Sequence, residues 1–116
     1  MRKIENELAT TNNTYITHDN NIFKAPCNYI IRNSNNNDIL TAIHFQEGPL
    51  KENSLNGIFM EDLINICINR LENFQNSEYK CQENENALNS LRDSLKYLRE
   101  RTERRKKENT LGTHNV

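Results

Sequence analysis

The chain has 116 residues, a formal charge of −1 and an apolar fraction of 34% against 27% charged residues, which leaves little material for a large private core. No apolar run approaches the roughly 18 residues of a membrane span, and Met1-Arg2-Lys3-Ile4-Glu5-Asn6-Glu7 lacks the apolar segment of a signal peptide, so a cytoplasmic protein is expected. Cys27, Cys67 and Cys81 are odd in number and widely spaced, which fits neither a disulfide framework nor a CxxC metal or redox site; reduced thiols, buried or half-buried, are expected.

The first ten residues have the character of a short, weakly anchored helix, interrupted by Thr10-Thr11-Asn12-Asn13-Thr14. Short β-prone runs follow at Tyr15-Ile16-Thr17, Ile22-Phe23-Lys24, Asn28-Tyr29-Ile30-Ile31-Arg32 and Ile39 to Phe45. The last two read as a hairpin across the polar tract Asn33 to Asp38, where asparagine tolerates left-handed turn conformations. Gly48-Pro49 ends this region with a turn. His44 at its strand end reads as a structural histidine, and His18 and His114 have no partners at metal spacing.

The period then changes from two to 3.6. Met60, Leu63, Cys67, Leu71 and Phe74, widened by Ile64 and Ile68, predict an amphipathic helix over about 58–75 with acidic Glu61-Asp62 in its first turn. After a turn at Asn76-Ser77, Leu88, Leu91, Leu95 and Leu98 define a second helix over about 82–108, its seam running out to Asn84 at one end and to Thr102 and Arg105 at the other. A last turn rich in Lys and Arg suits the helix dipole, and Asn109 and Gly112 serve as C-terminal caps. The expected fold class is α+β, with a small antiparallel β-rich segment over 1–50 and an antiparallel helical hairpin over 51–116.

Charge is unevenly divided. Residues 92–108 carry eight Lys and Arg against four Asp and Glu, so this end attracts anions while the rest of the chain is acidic. The plain alternative is a solvated face with Glu-to-Lys and Glu-to-Arg pairs at helical spacing.

Two helices of about 27 and 40 Å, joined by a short turn, cannot cover both apolar stripes between themselves. The stripes invite a second copy, and a two-fold antiparallel pairing places the tip of one hairpin, with Phe74 and Asn84, beside the far end of its partner, with Arg101 and Arg105. Such a pocket combines an aromatic face for a base, an amide for its edge, and two guanidinium groups one turn apart for a pyrophosphate. Each residue also has an ordinary reading: Phe74 as the end of a helix core, Asn84 as a local cap, and Arg101 and Arg105 as solvated charges. No Gly-rich phosphate loop, nucleophile elbow, carboxylate pair or HExxH occurs, so no enzyme is expected.

The residues His44-Phe45-Gln46-Glu47-Gly48-Pro49, Asn56-Gly57, Glu61-Asp62-Leu63, Arg70-Leu71, Phe74-Gln75, Cys81, Glu83-Asn84, Ala87-Leu88 and Leu98-Arg99-x-Arg101-Thr102-x-x-Arg105, ending Gly112-Thr113-His114, resemble the phage Thoeris anti-defence sponge family. The resemblance covers about 44–116. The helical hairpin is similar to that of phage sponges against the CBASS cyclic-oligonucleotide system, whereas the β-rich part resembles the anti-Thoeris branch. It implies a phage- or prophage-encoded, non-enzymatic protein of the bacterial host cytoplasm that binds glycocyclic ADP-ribose, the cyclic ADP-ribose isomer made by TIR-domain enzymes, and holds it from the Thoeris effector. The family's binding pattern maps to Phe74, Asn84, Arg101 and Arg105, with Thr102 between the two arginines. It implies homo-oligomers from a dimer of hairpins up to hexamers, some with a separate intersubunit site for cyclic di- or trinucleotides, and no cofactor or metal. The competing readings are a small helical nucleic-acid binder that uses the basic end of the second helix and a coiled-coil adaptor. The interleaved Glu100, Glu103 and Glu108 weigh against DNA, and the adaptor leaves the polar ends of the seam unexplained.

Overall fold

A computed structural model of the chain describes residues 1–5, 13–20 and 22–108. The described residues fall into two compact units, Met1–Ile58 and Phe59–Val116. The first is built of strands and the second of two helices.

The strands are β1 (Arg2–Lys3), β2 (Thr14–His18), β3 (Ile22–Phe23), β4 (Ala25–Pro26), β5 (Asn28–Asn33) and β6 (Ile39–His44). A four-stranded antiparallel sheet has the order β1-β2-β5-β6, and β3 and β4 form a small ribbon of their own. The register sets Ile16 opposite Ile31 and Tyr29 opposite Ile43, with a bulge at Ile31/Arg32. β-Branched and aromatic residues favour this half-buried pleated surface.

The hairpin expected from the last two runs is β5–β6. Asn37 takes the left-handed conformation (φ 64°), and the side chains of Asn33 and Asn36 accept from the backbone N–H groups two residues on. Asparagine satisfies such turns because its amide substitutes for a missing backbone partner. Lys24, expected at the end of a strand run, is also left-handed (φ 68°) and sits in the turn between β3 and β4.

Two further expectations change in this unit. Arg2 and Lys3 pair with His18 and Thr17 as a strand, so the start of the expected N-terminal helix is extended; residues 6–10 lie outside the described residues. Phe45 leaves the ladder of β6 to form a parallel bridge with Ile58, so the following helix begins later than residue 58. Gly57 allows that bridge, since a Cβ there would lie 2.5 Å from the Phe45 carbonyl carbon and 2.6 Å from the His44 oxygen. The segment between is held by side chains. Asn56 accepts from Glu47 N–H at 2.8 Å and donates to the Glu47 carbonyl at 2.9 Å, while Gln46 accepts from Asn56 N–H at 2.9 Å and donates to the Ser54 carbonyl at 3.0 Å. Gly48, with φ 79°, makes the turn predicted at Gly48-Pro49.

The second unit is an antiparallel hairpin of α1 (Met60–Gln75) and α2 (Gln82–Lys107). Asp62 accepts from Phe59 N–H at 2.9 Å and closes the start of α1, where Glu61 and Asp62 also meet the positive end of the helix dipole. Cys81 caps α2 through its Sγ, and Glu108 ends the helix by donating its N–H to the Arg104 carbonyl at 3.0 Å. The expected caps Asn109 and Gly112 lie outside the described residues. Because α2 has 26 residues and α1 has 16, about 15 Å of α2, carrying its most basic turns, runs on without α1 alongside.

The core is thin. Among the described residues only Cys27, Leu88 and Leu95 are buried, and none of them lies on α1. Leu91 and Leu98 of the α2 seam are half-buried, as are Leu63, Ile64, Ile68, Leu71 and Phe74 of α1. Met60, Ile66, Tyr79 and Tyr97 are exposed. The thiols are free as expected, but Cys67 and Cys81 are exposed rather than buried or half-buried: one lies on the uncovered α1 stripe and the other in the turn.

Candidate functional site

The turn between α1 and α2 gathers two of the five expected residues. Phe74 lies in the last turn of α1, half-buried, and its carbonyl accepts from both the hydroxyl (2.6 Å) and the N–H (3.0 Å) of Ser77. The Arg70 guanidinium, one helical turn back, sits 5.2 Å from the Phe74 ring centroid, a cation–π contact that leaves the guanidinium exposed. Asn84 lies in the first turn of α2, its N–H on Cys81 Sγ at 3.4 Å and its Nδ2 on the Tyr79 carbonyl at 3.4 Å. The cap of α2 is therefore the Cys81 sulfur, and the Asn84 N–H is its donor.

Arg101, Thr102 and Arg105 stand at the other end of α2, all half-buried. The Thr102 hydroxyl donates to the Leu98 carbonyl at 3.1 Å, the usual back-bond of a helical threonine. Arg101 Nε is out of solvent without a hydrogen-bond partner, an arrangement that costs free energy unless something is supplied to it. Asn84 and Arg101 are 17 positions apart on one unbroken helix, about 25 Å along its axis. A single chain thus keeps its stacking-and-amide end and its cationic end well apart.

A separate shallow groove of about 600 Å³ follows α2, lined by Arg92, Leu95, Lys96, Arg99, Glu100, Glu103, Arg104 and Lys107. Five cations face two carboxylates there, so the positive charge read from the sequence is spread over more than one face of the helix. The ion pair of Arg92 with Glu72, which crosses the hairpin at 3.1 Å, is half exposed and contributes on the order of 0.5 kcal/mol. Among the described residues no group of three or more His, Cys, Asp or Glu side chains is gathered as a metal ion would require. His44 is held between the Asn56 carbonyl (2.8 Å from Nδ1) and the Glu47 carboxylate (2.9 Å from Nε2), the structural role expected for it.

Residues 37–103 match the sequence profile of the Acb2/Tad1 hairpin domain. The chain belongs to the Acb2/Tad1 hairpin family. The matched span runs from the β5–β6 turn almost to the end of α2 and includes Phe74, Asn84, Arg101 and Thr102, with Arg105 two residues beyond it. A curated relative, Thoeris anti-defense 1 of Bacillus phage SBSphiJ7, is 33% identical over an alignment of 140 positions that takes in 98% of this chain and 99% of the relative. The likeness to this phage protein thus includes the β unit that precedes the hairpin.

Two residues that the sequence offered only as part of the family resemblance, with no role, stand beside Phe74. Arg70 is recognisable in retrospect, because four residues is the spacing that stacks a guanidinium on an aromatic ring within one helix. Gln75 is not, because its partner is the backbone of Cys81 across the turn.

Proposed function

We propose that this protein is a sponge that binds glycocyclic ADP-ribose, the cyclic ADP-ribose-type signal of Thoeris TIR enzymes, and withholds it in the host cytoplasm without degrading it. The reading rests on one observation above the others: the hairpin carries Phe74 and Asn84 at its turn and the guanidinium groups toward the far end of α2, about 25 Å from Asn84, too far for one small ligand to bridge within a chain. Membership of the Acb2/Tad1 family and the likeness to a phage Thoeris anti-defense protein support the choice of ligand class.

In the proposed site a purine lies on Phe74, Asn84 meets its edge, and Arg101 and Arg105 of a second copy clasp the pyrophosphate, with Thr102 between them. A two-fold antiparallel pair of hairpins completes two such pockets, and higher assembly up to a hexamer covers more of the apolar surface that α1 leaves half open. A separate intersubunit site for cyclic di- or trinucleotides, as the resemblance implies for some members, belongs to the same proposal. Among the described residues no helix is long and apolar enough to cross a membrane.

The experiment is depletion and recovery. Protein at micromolar concentration, mixed with substoichiometric glycocyclic ADP-ribose, should clear it from an ultrafiltrate, and heat denaturation should return the same compound unchanged. Competition with a signalling effector calls for a dissociation constant of about 1 nM, roughly −12 kcal/mol. Recovery of a cleaved product would replace the sponge by an enzyme, and retention of duplex DNA in preference to the nucleotide would replace it by a nucleic-acid binder.

A further inference from the structure

One side chain ties α1 to the start of α2. Gln75, the last residue of α1 and the neighbour of Phe74, donates from Nε2 to the Cys81 carbonyl at 3.1 Å and accepts at Oε1 from Cys81 N–H at 3.1 Å. The amide pairs with both backbone groups of one residue, as a neighbouring strand would. Nε2 also lies 3.3 Å from a Glu85 carboxylate oxygen. Cys81 in turn receives the N–H of Asn84 on its sulfur, so an unbroken run of contacts links the residue after Phe74 to Asn84 itself.

The turn itself reaches Asn84 by a second route, since Asn84 Nδ2 donates to the Tyr79 carbonyl at 3.4 Å, but it does not hold Cys81 from α1. Asn76 N–H bonds to Glu72 and Asn73 carbonyls, Ser77 bonds to the Phe74 carbonyl, and Tyr79 N–H bonds to the Ser77 hydroxyl. Those bonds finish α1 and shape the turn, whereas only the Gln75 amide, among the hydrogen bonds described here, grips the capping residue of α2 from α1. Glutamine is suited to this by chemistry. Glutamate lacks the donor, asparagine is one methylene shorter, and leucine has neither polar group.

We propose that Gln75 is the positioning residue of the ligand-binding tip, fixing the distance and orientation between Phe74 on α1 and Asn84 on α2 without itself touching the ligand. The proposal rests on the reading of Phe74 and Asn84 as ligand contacts. Stacking and edge recognition by two different helices demand agreement within a fraction of an ångström, which two long helices joined by a six-residue turn do not guarantee. A bidentate amide at the joint supplies that agreement.

The test titrates glycocyclic ADP-ribose by calorimetry into the full-length protein and into Gln75→Leu, Gln75→Glu and Phe74→Ala, with helix content and oligomeric mass measured alongside. Gln75→Leu should bind about tenfold more weakly with helix content and mass unchanged. Gln75→Glu should lose at least as much at pH 7.5, because a carboxylate placed against the Cys81 carbonyl and Glu85 is repelled by both. It should recover relative to the wild type as the pH falls to about 5, where the introduced carboxyl gains a proton and becomes a donor again. That recovery separates positioning from a general loss of structure, which lower pH would not repair. Binding of both Gln75 variants within twofold of wild type, with Phe74→Ala defective, would overturn the positioning role and leave the site standing. Wild-type binding by Phe74→Ala would overturn the site and this role together.

Discussion

If the cationic end of one hairpin completes the tip of another, two crippled proteins should repair each other. Phe74→Ala removes the aromatic face, and Arg101→Ala removes a guanidinium whose Nε is already withdrawn from water. Each loss should weaken binding by about 1.5–3 kcal/mol, roughly 10- to 150-fold. In an equal mixture with free exchange, a pocket is intact only when its Phe74 comes from an Arg101→Ala chain and its Arg101 from a Phe74→Ala chain. Each condition holds half the time, so about one pocket in four is restored, whatever the size of the assembly. Calorimetry of the mixture should show a class of tight sites at about a quarter of the wild-type stoichiometry, and native mass spectrometry should confirm that chains have exchanged. Exchange without tight sites would refute the reasoning, because a pocket contained in one chain cannot be repaired by a second. The 25 Å between Asn84 and Arg101 would then have to be bridged in some other way.

Two further tests address the β unit. Gly57→Ala should destabilise it by about 2–4 kcal/mol in urea titration, because the new Cβ would press on Phe45 and His44 backbone and open the Gln46 N–H to Ile58 and Ile58 N–H to His44 carbonyl bonds; a midpoint unchanged from wild type would show the bridge to be dispensable. His44 should titrate above the ordinary 6.5, because the Glu47 carboxylate and then the Asn56 carbonyl both favour the form with protons on both ring nitrogens. Its contribution to stability is therefore complete below the unfolded value and lost as the pH rises through the folded one. An NMR titration should find the midpoint lowered in Glu47→Gln, and an unmoved midpoint would remove Glu47 as the cause.

The helices were legible because a 3.6-residue period survives any tertiary detail: Leu88 and Leu95 were placed on the seam and are buried there. The hairpin β5–β6 was legible for a related reason, as two β-prone runs on either side of an asparagine tract have few other ways to satisfy their backbones. What escaped depends on partners distant in sequence. β1 is two residues long and exists only through His18 and Thr17, so no local propensity marks it. Ile58 stood at the start of the helix expected over about 58–75, yet the backbone of Phe45, thirteen residues earlier, claims it. At the site, residue types and helix arithmetic were enough to divide Phe74 and Asn84 from Arg101, Thr102 and Arg105. Gln75 was quoted for the resemblance but its role was not legible: a glutamine at the end of a helix looks like any solvated side chain until the turn brings Cys81 back to meet it.

The unequal lengths of α1 and α2 bear on how such a protein can change. About 15 Å of α2 continues past the end of α1, so substitutions at its exposed positions Glu103, Arg104, Lys106 and Lys107 fall where the hairpin has little packing to lose, while those near Phe74 and Asn84 fall on its tightest turn. Effects at the two places should add in the stability of a single chain, being far more than 10 Å apart. The hairpin therefore has inexpensive positions to vary and a conservative turn to keep. Diversity among relatives should gather on those exposed positions, with Arg101, Thr102 and Arg105 held by the proposed site and the turn around Gln75 and Cys81 drifting last.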